Sequence, residues 1–292
     1  MKEQGERPEP FLRHWWRGLR RLPVLPICII LVVLVIPAIF AEYLAPHSPF
    51  TGSLRARLQP PAFLGGQSEY FLGTDAQGRD VLSRMIFGAR VSAIVAGIGI
   101  LLGGVVGVLL GVAAGYFGGL ADTVISRAVD TTLSVPIVLV AIAIAAAQGP
   151  SFGAVIGVTG LFLWSVYARQ VRGETLKWKE AQFVRRAAVT GASHARIVFV
   201  HLLPNMVNTI IVLVTLQVGF VIVFESSLSF MGVGIPQPNP AWGLMVAEGR
   251  GHVVTAWWIA FFPGLAIMLT VLAFNLMGDW LRDRLDPRLR QV

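Results

Sequence analysis

Long apolar runs separated by shorter polar stretches dominate the chain. A helix crossing ~30 Å of hydrocarbon needs about 20 mostly apolar residues, and six stretches meet or approach that length. Leu22 to Phe40 carries no charge, and neither does Val91 to Tyr116, which is rich in glycine. Thr123 to Ala147 confines Arg127 and Asp130 to its first turns and has Pro136 placed to kink it. Phe152 to Ala168 follows the breaker Gly149-Pro150, and Val207 to Phe224 and Ala256 to Met277 complete the series. The runs are continuously apolar, so helix is expected rather than the ten-residue alternation of a transmembrane barrel. The predicted fold class is an all-α membrane protein with about six transmembrane helices.

This pattern divides the chain into a basic tail (1–21), a first spanning helix (22–42), a polar segment (43–90), a five-helix core (91–279) and a second short tail (280–292). Composition agrees with it. Hydrophobic residues make up 55%, charged ones 14%, and mean hydropathy is +0.68, whereas a soluble domain carries roughly a quarter charged residues. The first run exceeds the ~7–15 apolar residues of a secretory signal, so it is expected to remain as an anchor. The single cysteine, Cys28, lies inside it; no internal disulfide can form, and a small buried hydrophobe is the expected role.

Charge sets the orientation. The net +8 comes from 24 lysines and arginines. All but Arg55, Arg57, Arg79, Arg84, Arg90 and Arg250 fall on one side if the N-terminus is cytoplasmic. The positive-inside bias therefore places both termini and segment 169–206 in the cytoplasm, with 41–90 and 225–255 outside. Basic excess at membrane ends accounts for the pI without a nucleic-acid partner. Trp15, Trp16, Trp257, Trp258 and Trp280 fall near span ends, as interfacial anchors do. Arg13 to Arg21 is expected to form an amphipathic surface helix.

The inside segment carries the strongest functional pattern. Glu180 to Thr190 has good helix formers, with Phe183, Val184, Ala187 and Ala188 spaced to share a face. Gly191 suits a helix stop, Ser193 suits the N-cap of a second short helix, and Pro204 is expected to interrupt that helix. The product is a bent helical pair against the membrane, its bend lined by the small residues Ala187, Ala188 and Gly191, with Arg185, Arg186 and Arg196 available for charge pairing. The residues alone leave two readings open: a docking element for a soluble partner, or an amphipathic connector held by headgroups.

At these residues the chain resembles the membrane subunits of binding-protein-dependent ABC importers, whose cytoplasmic signature runs Glu-Ala-Ala, three residues, Gly, nine residues, Ile, one residue, Leu-Pro. Ala187, Gly191, Leu203 and Pro204 match; Arg185 and Arg186 stand where Glu and Ala would, and His201 where Ile would. The dipeptide/oligopeptide/nickel permease branch is more similar, with Arg at the triplet start and a His-x-Leu-Pro-Asn run like His201 to Asn205. Five further stretches resemble the C-type subunits of that branch. They are Phe71 to Arg84, Gly115 to Gly119, Glu225 to Gly234, Pro240 to Gly243, and Phe274 to Pro287.

The resemblance implies a type I importer permease fold in a bacterial or archaeal inner membrane. It also implies a homologous second permease subunit, two cytoplasmic ATP-binding subunits using Mg and ATP, and an extracytoplasmic binding protein delivering peptides. Nickel complexes, glutathione or another small solute are the alternative cargo. Segment 178–204 would couple to the ATPase through Glu180, Phe183, Val184, Arg185, Arg186, Ala187, Gly191, Ala192, Ser193, Leu203 and Pro204.

No cofactor is expected in this chain. Its only lysines are Lys2, Lys177 and Lys179, and none belongs to a Walker A loop. The five histidines show no zinc-ligand spacing, and no nucleophile elbow is present, so a non-catalytic subunit is expected. An ion-coupled secondary transporter is the rival of a different class; it would need carboxylates deep in the spans and often duplicated halves, and neither is apparent. Glu225, at the outer end of the fifth run, is a candidate for the transport path and is expected to be hydrated. Asp75, Arg79, Asp80 and Arg84 are expected to form a charged helical face outside. That face would either contact the binding protein or tie the first loop to the bundle.

Overall fold

The computed structural model describes residues 23–285. The expected surface helix at Arg13 to Arg21, with Trp15 and Trp16, lies outside the described residues, as do Arg288 and Arg290. The first helix, α1 (Val24–Leu44), contains a widened π turn at Ile30–Val35. Cys28 is exposed on it rather than buried; in a membrane that surface meets lipid, which suits a small apolar side chain equally well.

The second helix, α2 (Val81–Phe117), begins ten residues before the expected Val91. Asp80 starts it as an N-cap, its carboxylate accepting from the Ser83 amide at 2.9 Å. Hydropathy placed the boundary after the last charge, but Arg84 and Arg90 sit inside the helix because protein groups neutralise them. Arg90 bonds the Ala38 carbonyl at 2.9 Å and pairs with Glu42 at 3.0 Å, clamping the end of α1.

The third apolar run is not a single helix. It forms α3 (Gly119–Ser134) and α4 (Ile137–Gln148), which meet at 78°. Pro136 offers no amide hydrogen and disfavours helical geometry in the residue before it, and Val135 is accordingly extended (φ −93°, ψ 126°). The described residues thus hold five helices long and apolar enough to cross a membrane, or six if this broken pair is one span.

The next helix, α5 (Phe152–Lys179), continues well past the expected Ala168. The short α6 (Gln182–Val189) follows, and then α7 (His194–Phe230). Pro204 does not interrupt α7 as expected. A π turn over Ile197–Leu202 precedes it, and the wider turn makes room for a ring that would collide with the carbonyl four residues earlier. Within 225–255 lies a buried helix, α8 (Trp242–Gly249), before the last span, α9 (Trp258–Leu285). Trp258, expected at the interface, is buried, and its indole donates to the Thr74 carbonyl at 3.1 Å.

The bundle is organised around a parallel pairing of α2 with α5. Gly99, Gly103, Gly107, Gly111 and Gly115 form a stripe at four-residue intervals along α2, against Thr159, Leu163, Tyr167, Val171 and Thr175 of α5. A methyl group on Gly107 would come within 2.4 Å of the Trp164 carbonyl oxygen, and one on Gly111 within 2.7 Å of that of Ala168. The backbones touch directly, as small residues at four-residue spacing allow between membrane helices. Gly97 and Gly104 of the same helix lie off this close-contact stripe. A methyl on Gly97 meets open space, and one on Gly104 makes ordinary contact with the Tyr167 ring.

Gly107→Ala should therefore force the two backbones apart and cost about 1–3 kcal/mol of stability. Gly97→Ala should be neutral or slightly stabilising through helix propensity. Thermal unfolding of the two variants in one detergent checks the contrast, which vanishes if the seam is not a real contact.

Candidate functional site

The bent element is built from local signals and held by its own small core. Thr190 ends α6, and Gly191 follows with φ +83°, in the left-handed region where glycine has no steric cost. The Gly191 amide bonds the Ala188 carbonyl at 3.1 Å and the Ala192 amide bonds that of Ala187 at 3.0 Å, the pair of bonds that closes a Schellman stop. Ser193 then caps α7, accepting from the Arg196 amide at 3.3 Å.

Beneath the bend, Val184 joins Ile197, Leu202 and Met206 against Val112 and Val171 in an apolar knot separate from the main core. Leu203 and Ala192 pack against the knot, while Pro204 is exposed.

The expected shared face is only partly formed. Val184 is buried and Ala187 half-buried, but Ala188 is exposed. Phe183 lies half out, its ring 6.1 Å from that of Trp178 and 6.4 Å from that of His201. An eight-residue helix resting on one ridge turns its remaining side chains outward. Arg185, Arg186, Ala188, Val189, Thr190 and Gly191 consequently present a surface that none of the described residues covers. Glu180, just before α6, pairs with Arg185, whose guanidinium holds the Glu180 carboxyl below the usual carboxylate range. The end of α2 braces the element: Lys179 donates to the Tyr116 carbonyl at 2.7 Å, and the Tyr116 hydroxyl meets His194 Nδ1 at 2.8 Å.

The charges expected as an exposed helical face occupy the opposite end of α2 and are buried. Residues 75–79 form a tight turn, not a helix, closed by the Asp75 amide on the Arg79 carbonyl at 3.0 Å. Asp75 accepts from Arg79 Nε at 2.7 Å and from Arg84 Nη1 at 2.5 Å. Both arginines also reach Glu248 of α8, at 3.2 and 2.6 Å.

Two cations and two anions thus cancel within one desolvated cluster, which is the condition for tolerating buried charge. Asp80 is likewise buried as the cap of α2. These groups tie the 43–80 loop to α8 and expose no charged patch. Glu248 was missed in the sequence, although a lone carboxylate in the apolar run Trp242 to Gly249 was the available signal.

Glu225 is also not hydrated as expected. It is fully buried between α7 and α2, accepting from Ser229 Oγ at 2.8 Å and Ser92 Oγ at 3.3 Å. Ser229 Oγ in turn accepts from the Ile235 amide at 3.2 Å, so the carboxyl orders the turn after α7.

Comparison with known families places the bent element in context. Residues 107–291 match the family model described as the binding-protein-dependent transport system inner membrane component. That match covers more than half of the chain. The chain belongs to this family. The permease is 44% identical to the dipeptide transport system permease protein DppC of Escherichia coli K12, over 87% of this chain and 85% of the relative. It is 38% identical to the glutathione transport system permease protein GsiD of Pectobacterium atrosepticum, over 96% and 92%. With the di/tripeptide transport system permease protein DppC of Pseudomonas aeruginosa the identity is 36%, over 87% and 84%.

The permease is therefore a multi-pass membrane subunit of an ABC importer, and membership implies ATPase and binding-protein partners in general. Among its described residues no group of three or more His, Cys, Asp or Glu could hold a metal ion.

Removing one cation from the buried cluster should be severe. Arg84→Ala leaves the buried Asp75 and the partly buried Glu248 with a single arginine between them and should cost the permease about 3–5 kcal/mol. Arg55→Ala, at an exposed position, should leave stability unchanged. Detergent thermal melts of both variants test the assignment, and equal melting temperatures would refute it.

Proposed function

We propose that this chain is one half of the translocation pore of a peptide importer, paired with a homologous second permease subunit. In this reading two cytoplasmic subunits hydrolyse Mg-bound ATP, and an extracytoplasmic binding protein delivers the peptide at the 43–80 end. Both termini then lie in the cytoplasm of a bacterial or archaeal cell, with the surface of α6 docked on one ATPase subunit. Glu180, Arg185 and Arg186 supply polar contacts there, and Ala187, Gly191, Ala192 and Ser193 let a partner backbone approach. Phe183, Val184 and Leu203 seat the element on the bundle, and Pro204 lies at its exposed side.

The observation that supports this most is mechanical. The bend is rigidly closed at Gly191 and rooted through Val184 and Ile197 in the far ends of α2, α5 and α7, so force applied to α6 reaches the spans. Peptide cargo rests on the dipeptide and di/tripeptide transport named for two relatives. Glutathione, itself a small peptide, is the second reading, favoured by a relative matching nearly the whole chain.

Gly191 separates docking from mere helix termination. A side chain there would meet open space among the described residues, so Gly191→Asn, which tolerates left-handed geometry, should cost little folding stability. Gly191→Val should cost about 1–2 kcal/mol, leave membrane insertion intact, and lower ATP-driven dipeptide uptake at least several-fold in liposomes holding the complete transporter. Wild-type uptake by the valine variant would overturn the docking role. Uptake driven by a proton or sodium gradient without ATPase subunits would overturn the whole reading.

A further inference from the structure

The tip of the 43–80 loop carries an apolar surface that neither the charge cluster nor the bent element uses. No charged residue lies between Arg57 and Glu69. Within that stretch Phe63 and Leu64 are more than half exposed, and so is Phe71 just beyond it. The loop doubles back on itself here. The Ala62 amide bonds the Phe71 carbonyl at 3.3 Å, and the Phe63 and Phe71 rings lie 6.4 Å apart.

The neck of this tip is fixed. The Gln59 amide donates to Thr74 Oγ1 at 2.8 Å, and the Thr74 amide to the Gln59 carbonyl at 3.0 Å. A methyl group on Gly73 would come within 2.6 Å of the Gln59 carbonyl oxygen and 2.9 Å of Trp258 Nε1. Trp258 opens α9, so the tip is held against the first turns of that span. The Phe63 ring meets that of Phe262 edge to face at 6.4 Å. Trp257 and Phe261 lie 5.9 and 5.5 Å from the same Phe262 ring.

The length of α9 sets the level of this contact. Asp279 is the first charged residue of the helix. Hydrocarbon ~30 Å thick takes about 20 helical residues, which counted back from Asp279 reaches Ile259. Phe262 lies inside that boundary, so the Phe63 ring is level with the edge of the hydrocarbon. Exposed apolar side chains continue along one face of α9 at Phe261, Met268 and Leu272.

The backbone of the tip suits such a setting, where a bare amide is costly. Pro60 and Pro61 carry no amide hydrogen. The amides of Ala62, Leu64, Gly65 and Gly66 are bonded to carbonyls of Phe71, Pro61, Ala62 and Pro61. No side chain from Pro60 to Gly66 is polar, so a protein partner would find nothing directional there to fix its register.

We propose that residues 60–71 form a wedge resting in the lipid leaflet at this end of the bundle, with Phe63 and Leu64 among the upper acyl chains. Trp257 and Phe261 extend it as an aromatic belt, and Arg57 and Glu69 mark the return to headgroups and water. The proposal needs only the multi-pass architecture and is independent of the cargo.

The complete transporter in liposomes tests this. With Cys28→Ser and cysteine-free partner subunits, Phe63→Cys, Leu64→Cys and Arg55→Cys are each spin-labelled. Relaxation by oxygen, which concentrates in lipid, is compared with relaxation by a polar nickel chelate, which stays in water. The oxygen-to-nickel ratio at positions 63 and 64 should exceed that at 55 at least about fivefold, since a polar solute is excluded from hydrocarbon. A ratio equal to that at 55 would put the tip in water and overturn the wedge. Low access of both reagents at 63 and 64 would mean that a second permease subunit or the binding protein covers the tip, and would overturn it equally. With the label at 64, Phe63→Asp should bring the ratio down to that at 55, and Phe63→Trp should preserve it. An unchanged ratio in the aspartate variant would overturn the anchoring role of Phe63.

Discussion

Direct backbone contact between α2 and α5 is the constraint on which the other features depend. In a bilayer, burying apolar side chains between helices gains little, because lipid tails are as apolar as the side chains themselves; close packing and polar ties must decide which helices associate. Five glycines at four-residue spacing let α2 lie along α5 with carbonyl oxygens where a Cβ would otherwise stand. The 37-residue α2, about 55 Å long, becomes a stiff spine. One of its ends holds the charge cluster through Arg84, and the other braces the bent element through Tyr116. Movement at either end is then referred to the same axis.

Charge placement follows from the same poverty of apolar driving force. Many of the described charges near the spans are joined in pairs or clusters: Asp75, Arg79, Arg84 and Glu248 together, Asp122 with Arg172, Asp130 with Arg169, and Glu42 with Arg90. Each tie joins two elements and so fixes topology as well as cancelling charge. Glu225 is handled differently, by serine hydroxyls and no cation.

The two ends of the molecule are built by opposite rules. The 43–80 loop and α8 are tied inward by salt bridges and by the indoles of Trp242 and Trp258, which donate to the Met85 and Thr74 carbonyls. The bent element is tied down along one ridge only, and its outer surface is left uncovered. An element meant to transmit force to the spans needs this asymmetry: a firm root and a free face.

Much of this was legible in the order of residues. Spans could be counted from apolar run length, because hydrocarbon thickness sets a minimum that few soluble segments reach. The stop at Gly191 and the cap at Ser193 were readable because helix ends are governed by local backbone chemistry within four or five residues. The ordered family segments were also readable, and the family match agrees with them.

What the chain order hid was whatever depends on a neighbour distant in sequence. Charges made α2 look ten residues too short, since Glu248, more than 160 residues away, neutralises Arg84. Glu225 looked hydrated because Ser92 is on another helix. Pro136 and Pro204 looked alike as helix breakers. One produced a 78° turn and the other was absorbed by a π turn, a choice made by the packing around each and not by proline itself. Hydrophobic run length and cap chemistry act locally and are written in the sequence; charge compensation and the fate of a strained turn are settled only when the helices meet.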